Sequence, residues 1–199
     1  MVRALIASRV GALRSAMLID VGCGTGNLYS FVSDLVAEYE GVDVVHYEGY
    51  PRNLSFHQLD LDSGKAKLPD GYADFVVAVE TIEHLENPRA FIRELVRLCK
   101  PDGWVIVTTP NQLSVLSKLT LIVKNQFNAF TESSYPAHIT ALLETDLRRI
   151  AHESGLKQIE SCFTCYGRFP GTAFHWPRMI SRIARRALSD NIGIIGKRS

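Results

Sequence analysis

The chain has 199 residues, 46% of them apolar, and a formal net charge of +1. This length suits one domain with a sizeable core, and the balanced charge gives no sign of an obligate nucleic-acid partner. Four cysteines, two of them in a lone C-x-x-C (Cys162 and Cys165), are too few for a disulfide scaffold or a zinc site and fit a reducing cytoplasm. No apolar run approaches the roughly 20 residues of a membrane span.

The N-terminal segment MVRALIASRVGALRS carries arginines and no acids, as transit peptides do. The first core strand is expected to begin near Met17, which leaves little room for a cleaved leader. Apolar residues in this segment recur at helical spacing: Val2, Leu5, Ile6, Val10 and Leu13. We therefore predict a short N-terminal helix that packs on the domain.

Strand-like apolar runs alternate with segments of helical period along the rest of the chain. Seven strands are predicted, at 17–22, 41–45, 55–59, 74–79, 104–109, 158–166 and 191–197. Helices are predicted at about 27–38, behind the cap residue Asn87, and near 144–154. The run at 74–79 does not alternate, so it should be buried on both faces. This order predicts an α/β fold with a doubly wound, mainly parallel sheet.

The segment LIDVGCGTGN (18–27) joins the first strand to the first helix through a glycine loop. Glycines let the backbone turn sharply and approach a ligand closely. Asp43 ends the next strand, at close to the roughly 20-residue separation expected in a nucleoside-binding unit. Its carboxylate can accept hydrogen bonds from two ribose hydroxyls. The pattern predicts a nucleoside-containing cofactor, and a tight turn without a ligand is the alternative.

The loop reads G-x-G-x-G, and over most of its length the chain resembles the class I S-adenosylmethionine-dependent methyltransferases. The matching segments are DVGCGTG, GVDVV, HQLDLD, DFVVAV and KPDGWVIVTTPN, in which Asp102 replaces the first glycine of the family's K-P-G-G. The resemblance implies a Rossmann-like sheet whose last strand is antiparallel. It also implies that the cofactor-binding residues are Asp20, Gly22, Cys23, Gly24, Gly26, Asp43, Asp60, Leu61 and Glu80.

Within that set, the resemblance assigns Asp43 to the ribose, and Asp60 and Leu61 to the adenine amino group and ring. VVHYEGYPRN follows Asp43 in place of the family's usual helix start, so Glu48 is an alternative ribose contact and Tyr47 an alternative cover for the adenine. The rival dehydrogenases of this fold include short-chain enzymes that need Tyr-x-x-x-Lys, which the chain lacks.

The stretch AVETIEHLENP (78–88) places Glu80, Glu83 and His84 at the end of the fourth predicted strand. Ligands of doubly wound sheets lie at the carboxyl ends of the strands. These side chains should therefore face the substrate, with His84 and Glu83 as the candidate catalytic residues. The pattern E-x-x-E-H is similar to the ubiquinone-pathway O-methyltransferases.

The same pattern is similar to the small-RNA terminal 2′-O-methyltransferases, in which two acids, this histidine and a downstream histidine hold a divalent ion. That resemblance implies a Mg²⁺, Mn²⁺ or Zn²⁺ site, and its ligands here would be Glu80, Glu83, His84 and His138. The alternatives are a metal-free polar pocket in which His84 is a base, and a purely structural turn.

Two insertions are predicted within the single domain 1–199, at about 111–143 and 168–189. The first is expected to be a lid, either a buried helix or an opening for a lipidic or aromatic acceptor. In the second, WPRMISRIARRAL (176–188) separates an apolar helix face from an arginine face. The apolar face has Trp176, Met179, Ile180, Ile183 and Ala187, and the other has Arg178, Arg182, Arg185 and Arg186. Such a helix can dock on anionic lipid, grip an anionic substrate, or simply pack on the domain.

Taken together, these features predict a cytoplasmic S-adenosylmethionine-dependent methyltransferase that methylates oxygen of a small or lipidic hydroxyl acceptor, with peripheral contact to the inner membrane face. Nitrogen methylation is the alternative within the class. A non-catalytic, membrane-associated protein that binds the cofactor is the alternative outside it.

Overall fold

The computed structural model describes residues 1–11, 15–62 and 64–199 of the protein. Within those ranges the strands are β1 (Met17–Val21), β2 (Glu38–Asp43), β3 (Ser55–Gln58), β4 (Ala73–Val79), β5 (Cys99–Pro110), β6 (Leu156–Phe163) and β7 (Asn191–Arg198). The α-helices are α1 (Val2–Val10), α2 (Tyr29–Val32), α3 (Pro88–Leu98), α4 (Val115–Lys124), α5 (Glu144–Glu153) and α6 (Arg178–Ile183). Short 3₁₀ helices span Ile82–His84 and Glu132–Ser134.

The strands form one sheet in the order β3-β2-β1-β4-β5-β7-β6. Pairing is parallel from β3 to β5, and β7 is antiparallel to both β5 and β6. The predicted doubly wound sheet with an antiparallel last strand is therefore confirmed. The chain runs outward from β1 to β3 and then returns to β4, which lies beside β1. This reversal opens a crevice at the carboxyl ends of β1 and β4.

Apolar side chains cover both faces of the sheet. One face packs against α3 and α5 through residues such as Phe91 and Leu147. The other face packs against α1 and α2 through Ile6 and Val32. All of β1 and most of β4 are buried, which confirms that residues 74–79 form a strand covered on both sides.

The helix predicted at about 27–38 is much shorter in the structure, where α2 ends at Val32 and β2 begins at Glu38. Parallel pairing with β1 explains the difference. Tyr39 pairs with Leu18 in the ladder, is buried, and donates its hydroxyl hydrogen to Asp20. These contacts with β1 require extended backbone where the local pattern favoured a helix.

Other local predictions agree with the structure. The N-terminal helix packs on the sheet through the buried Val2 and Ile6, and Leu13 lies outside the described residues. The side chain of Asn87 accepts a hydrogen bond from the backbone N–H of Ala90 at 3.0 Å, as an N-cap should. The predicted turn at 100–103 is an irregularity inside β5, with Asp102 at a φ of 64°.

Among the described residues, no helix is long and apolar enough to cross a lipid bilayer.

Candidate functional site

The glycine loop follows β1 at the crevice, and its glycines have positive φ angles: Gly22 79°, Gly24 53° and Gly26 77°. Gly22 also approaches the segment after β4 very closely. A Cβ at this position would lie 2.2 Å from the Thr81 hydroxyl oxygen, so a larger residue would displace Thr81. Glycine is therefore required at Gly22 both for the backbone angle and for the close approach.

Asp43 connects the end of β2 to this loop. Its Oδ2 accepts a hydrogen bond from the backbone N–H of Gly24 at 2.8 Å, and its Oδ1 accepts one from Val44 at 2.7 Å. The carboxylate is only partly buried, and a carboxylate has about four lone-pair sites. Asp43 thus holds the loop and keeps acceptor capacity toward the crevice.

A cavity of about 410 Å³ opens at the crevice, and we call it the glycine-loop cavity. It is lined by Gly22, Asp43, Val44, Tyr47, Asp60, Leu61, Asp62, Glu80, Thr81, His84 and Leu85. Five of the nine predicted cofactor residues are in this lining. Tyr47, the alternative cover for the adenine, also lines the cavity. Glu48, the alternative ribose contact, does not. Val44, Asp62, Thr81 and Leu85 were not predicted. Thr81 and Leu85 could have been suspected, because Thr81 lies within E-x-x-E-H and Leu85 directly follows it.

The other four predicted cofactor residues do not line this cavity: Asp20, Cys23, Gly24 and Gly26. Asp20 is buried, and burial raises the pKa of its carboxyl to about 7 although Tyr39 donates a hydrogen bond to it. Cys23 is also buried, which raises the pKa of its thiol. The role of these four residues in cofactor binding stays a prediction.

Glu80 is the first polar residue after β4 and has an unusual positive φ of 52°. Its Oε1 accepts a hydrogen bond from the Thr108 hydroxyl at 2.8 Å, and its backbone N–H also contacts Thr108. Burial, and next the nearby Glu83 carboxylate, raise the pKa of Glu80 to about 7. A non-glycine residue held at positive φ is a sign of functional constraint, because the surroundings must stabilise a disfavoured backbone.

Glu83 lies in the 3₁₀ helix after Glu80 and is fully buried. One carboxylate oxygen accepts a hydrogen bond from the Thr109 hydroxyl at 3.1 Å, while Oε1 has no hydrogen-bond partner in the described part of the chain. Burial raises the pKa of this carboxyl to about 7. A buried carboxylate oxygen without a partner is costly, so this atom is available to a proton or a ligand.

His84 and His138 meet beside Glu83, with ring centroids 4.8 Å apart. Nδ1 of His84 is 2.7 Å from the carbonyl oxygen of Ala137, and Nδ1 of His138 is 2.6 Å from that of Ala129. A carbonyl can only accept, so each Nδ1 must carry a hydrogen. In the neutral rings, Nε2 is then the nitrogen with a free lone pair.

Glu83, His84 and His138 each offer one ligand atom, and these atoms lie within 4.8 Å of one another. The structure therefore brings together three of the four residues predicted to hold a metal. Glu80 is outside this group. The assignment of His84 and Glu83 as catalytic residues stays a prediction.

A second cavity of about 300 Å³, which we call the apolar cavity, lies on the α1 and α2 side of Glu80. Its lining is Met1, Val2, Arg3, Leu28, Phe31, Val79, Glu80, Thr108, Thr164 and Asn191. Glu80 is the residue that lines both this cavity and the glycine-loop cavity. No local sequence pattern indicates this cavity, because its walls come from six separate parts of the chain.

The insertion at 111–143 lines neither of these two cavities. Its C-terminal part docks beside the site, where the backbone N–H groups of Ile139 and Thr140 donate to the carbonyl of Glu83, each at 3.0 Å. Its helix α4 is largely unpacked, with Ile122 80% and Val123 77% exposed. The expectation that this insertion forms a lid stays a prediction.

Comparison with known proteins identifies a family for this chain. Residues 3–161 match the family described as "Methyltransferase domain". A protein of Mycolicibacterium smegmatis named "Probable S-adenosylmethionine-dependent methyltransferase" is 30% identical over 159 residues, which cover 72% of this chain and 58% of the relative. A "Ubiquinone biosynthesis O-methyltransferase" of Albidiferax ferrireducens is 30% identical over 105 residues, which cover 48% of this chain and 41% of the relative.

The chain therefore spans about two fifths to three fifths of the length of these two curated relatives. Among solved structures, the fold is similar to a SAM dependent methyltransferase from Archaeoglobus fulgidus, with a TM-score of 0.69 and 19% identity over 99% of this chain and 93% of the other. The resemblance that the glycine loop and its companion motifs indicated is confirmed.

Proposed function

Because the chain belongs to the methyltransferase-domain family, we propose that it transfers the methyl group of S-adenosylmethionine to the hydroxyl oxygen of a small, largely apolar acceptor. The observation that carries this proposal is the position of Glu80, which lines both the glycine-loop cavity and the apolar cavity. The O-methyltransferase name of one 30% identical relative supports oxygen as the target atom.

The glycine-loop cavity suits the adenosyl part of the cofactor. Asp43 would accept hydrogen bonds from the ribose hydroxyls, and Leu61 and Tyr47 offer apolar surface for the adenine. Gly22, Glu80 and Thr81 line the same cavity and would contact the rest of the cofactor. When bound, the cofactor supplies an activated methyl group on a sulfonium sulfur.

The apolar cavity suits the acceptor. Leu28, Phe31 and Val79 would contact its hydrocarbon part, and its hydroxyl would face Glu80. During transfer the Glu80 carboxylate would take the hydroxyl proton, while the bound cofactor would supply the methyl group to the acceptor oxygen and leave as a neutral thioether. A base with a pKa of about 7 is matched to this task near neutral pH. Holding the two reactants in adjoining cavities would further accelerate the reaction by positioning them for attack.

The test is the Glu80→Gln variant with a panel of small phenols, catechols, alcohols and amines as acceptors. Transfer of labelled methyl to a hydroxyl acceptor should fall about 10²–10⁴-fold, because a general base contributes a factor of that size. The affinity of this variant for S-adenosylhomocysteine, measured by calorimetry, should stay within about 3-fold of the wild-type affinity. Glu86→Gln, an exposed acid outside both cavities, is the matched control.

Wild-type activity on hydroxyl acceptors should also fall as pH decreases through about 7, because protonated Glu80 cannot accept a proton. Methylation of amines in place of hydroxyls would contradict oxygen transfer. Cofactor binding without transfer to any acceptor would favour a non-catalytic protein. If His84→Gln removed activity while Glu80→Gln did not, His84 would be the base.

A metal-assisted reaction is the second candidate, and the group formed by Glu83, His84 and His138 favours it. The donor set fits a divalent ion, since Glu83 Oε1 has no partner in the described ranges and the two imidazoles have Nδ1 held by carbonyl groups. A bound Mg²⁺, Mn²⁺ or Zn²⁺ would lower the pKa of an acceptor hydroxyl. In this case activity should be lost in a chelator and His138→Ala should weaken metal affinity. Full activity in a chelator would contradict it.

A further inference from the structure

The segment 164–189, which connects β6 to β7, contains five arginines and no acidic residue. The arginines are Arg168, Arg178, Arg182, Arg185 and Arg186. Arg168 forms an ion pair with Asp190, and Arg186 forms one with Glu144. No carboxylate lies within ion-pair distance of the other three in the part of the chain that the structure describes. The segment is therefore a strongly positive surface.

The helix α6 in this segment exposes its apolar side chains. Ser181 is its buried residue, and the side chains two positions before and after it point away from the protein. Those side chains are Met179 and Ile183, which are 80% and 88% exposed. Packing of this helix on the domain through its apolar face, one of the alternatives from the sequence, is therefore wrong.

Arginines lie beside these apolar side chains. Arg178 and Arg182 line a surface cavity of about 290 Å³ together with Thr164, Cys165 and Tyr166, and we call it the arginine cavity. Phe174, 77% exposed, precedes the helix. Outward apolar side chains next to unpaired arginines are the pattern of a segment that inserts shallowly into a lipid surface while its cations meet phosphate groups.

We propose that the segment 164–189 docks on a bilayer that contains anionic phospholipid. Met179 and Ile183 would enter the boundary between headgroups and acyl chains, and Arg178 and Arg182 would bind lipid phosphate at the arginine cavity. The charge of the segment complements an anionic surface and disfavours a second copy of the same positive segment. Thr164 lines both the arginine cavity and the apolar cavity, so the docked surface adjoins the second cavity of the site.

The experiment is flotation of the full chain with vesicles of phosphatidylcholine alone and of phosphatidylcholine mixed with phosphatidylglycerol. Wild type should float with the mixed vesicles only, and added salt should release it because surface charge is screened over about 8 Å at physiological ionic strength. Arg178→Gln with Arg182→Gln should raise the lipid concentration for half-maximal binding about 30-fold. Met179→Ser with Ile183→Ser should raise it roughly 10-fold or more.

Two matched variants serve as controls. Lys67→Gln with Arg93→Gln removes two exposed charges elsewhere, and Ile122→Ser with Val123→Ser removes the exposed apolar pair of α4. Both should bind vesicles as wild type does. All variants should keep their thermal unfolding midpoint and their affinity for S-adenosylhomocysteine.

Three results would overturn the proposal. One is equal binding of the α6 variants and wild type. Another is loss of binding in the α4 pair with retention in the α6 pairs, which would move the docking surface to α4. The third is concentration-dependent self-association in solution that Met179→Ser with Ile183→Ser abolishes, which would make this surface an interface between copies of the chain.

Discussion

At the residue scale, Asp43 shows how one side chain can be both structural and functional. Its two carboxylate oxygens hold the backbone of the glycine loop and of the turn after β2. The carboxylate also lines the glycine-loop cavity, where it retains capacity to accept further hydrogen bonds. The loop is thus shaped by the residue that the cofactor would contact.

We expect Asp43→Ala to lower the affinity for S-adenosylhomocysteine roughly 10–100-fold, because hydrogen bonds to a charged group are worth about 1.5–3 kcal/mol. Calorimetry would measure the change. Asp43→Asn keeps the shape and one acceptor oxygen, so its loss should be smaller. Glu48→Ala is the control, since Glu48 does not line the cavity. Normal binding by Asp43→Ala together with weak binding by Glu48→Ala would reassign the ribose contact to Glu48.

At the element scale, α3 connects core stability to the site. Its buried face includes Phe91, Ile92 and Leu95, and its N-cap is Asn87. The side chain of Asp62 binds the start of this helix. It accepts hydrogen bonds from the backbone N–H groups of Glu86 and of the cap residue Asn87, at 2.9 and 3.4 Å. Asp62 also lines the glycine-loop cavity. The start of the helix and one wall of the cavity are therefore held by the same contacts.

Replacing Asn87 by Ala should lower the free energy of unfolding by about 1 kcal/mol, because the N–H of Ala90 loses its acceptor. Urea unfolding would measure this change. Asn87→Asp retains an acceptor oxygen and should unfold close to wild type, since Asp and Asn cap helices about equally well. An equal loss in both variants would show that the cap hydrogen bond is not the cause.

At the scale of the whole molecule, the carboxyl groups of the buried Asp20 and Glu83 and of the partly buried Glu80 have a common effect on stability. Burial raises the pKa values of Asp20, Glu80 and Glu83 to about 7. In the unfolded chain these groups ionise with the ordinary pKa values of about 4. Between about pH 4 and pH 7 the folded state therefore binds more protons than the unfolded state, so stability decreases as pH rises through that window. Ionisation of these three groups therefore lowers the free energy of unfolding at neutral and higher pH.

We expect Glu83→Gln to unfold like wild type near pH 4 and to be more stable than wild type above about pH 8, by up to about 3 kcal/mol, because the variant has no buried charge at this position. Urea unfolding at the two pH values would measure the difference. Glu86→Gln, an exposed acid, should show no such dependence. If Glu83→Gln were less stable than wild type at high pH without added metal, a partner would already compensate the Glu83 charge.

The sequence by itself determined the features that depend on neighbouring residues. Strand periodicity predicted the strands of the sheet, and the strand–glycine loop–helix pattern with Asp43 predicted a binding site where Gly22 and Asp43 line a cavity. The N-cap of α3 could be predicted because Asn87 and Pro88 act within one helical turn. Such features need no knowledge of the rest of the chain, since their hydrogen bonds and backbone angles are local.

The tertiary structure decided the features that join distant segments. β2 replaced the end of a predicted helix because β1 supplies its hydrogen-bond partners. His138 reached His84 only because the insertion at 111–143 docks on the 3₁₀ helix through backbone hydrogen bonds. No local sequence pattern predicted the apolar cavity or the outward orientation of the α6 side chains. Helical period shows which side chains share a face, but the contacts made by the rest of the chain decide whether that face is buried.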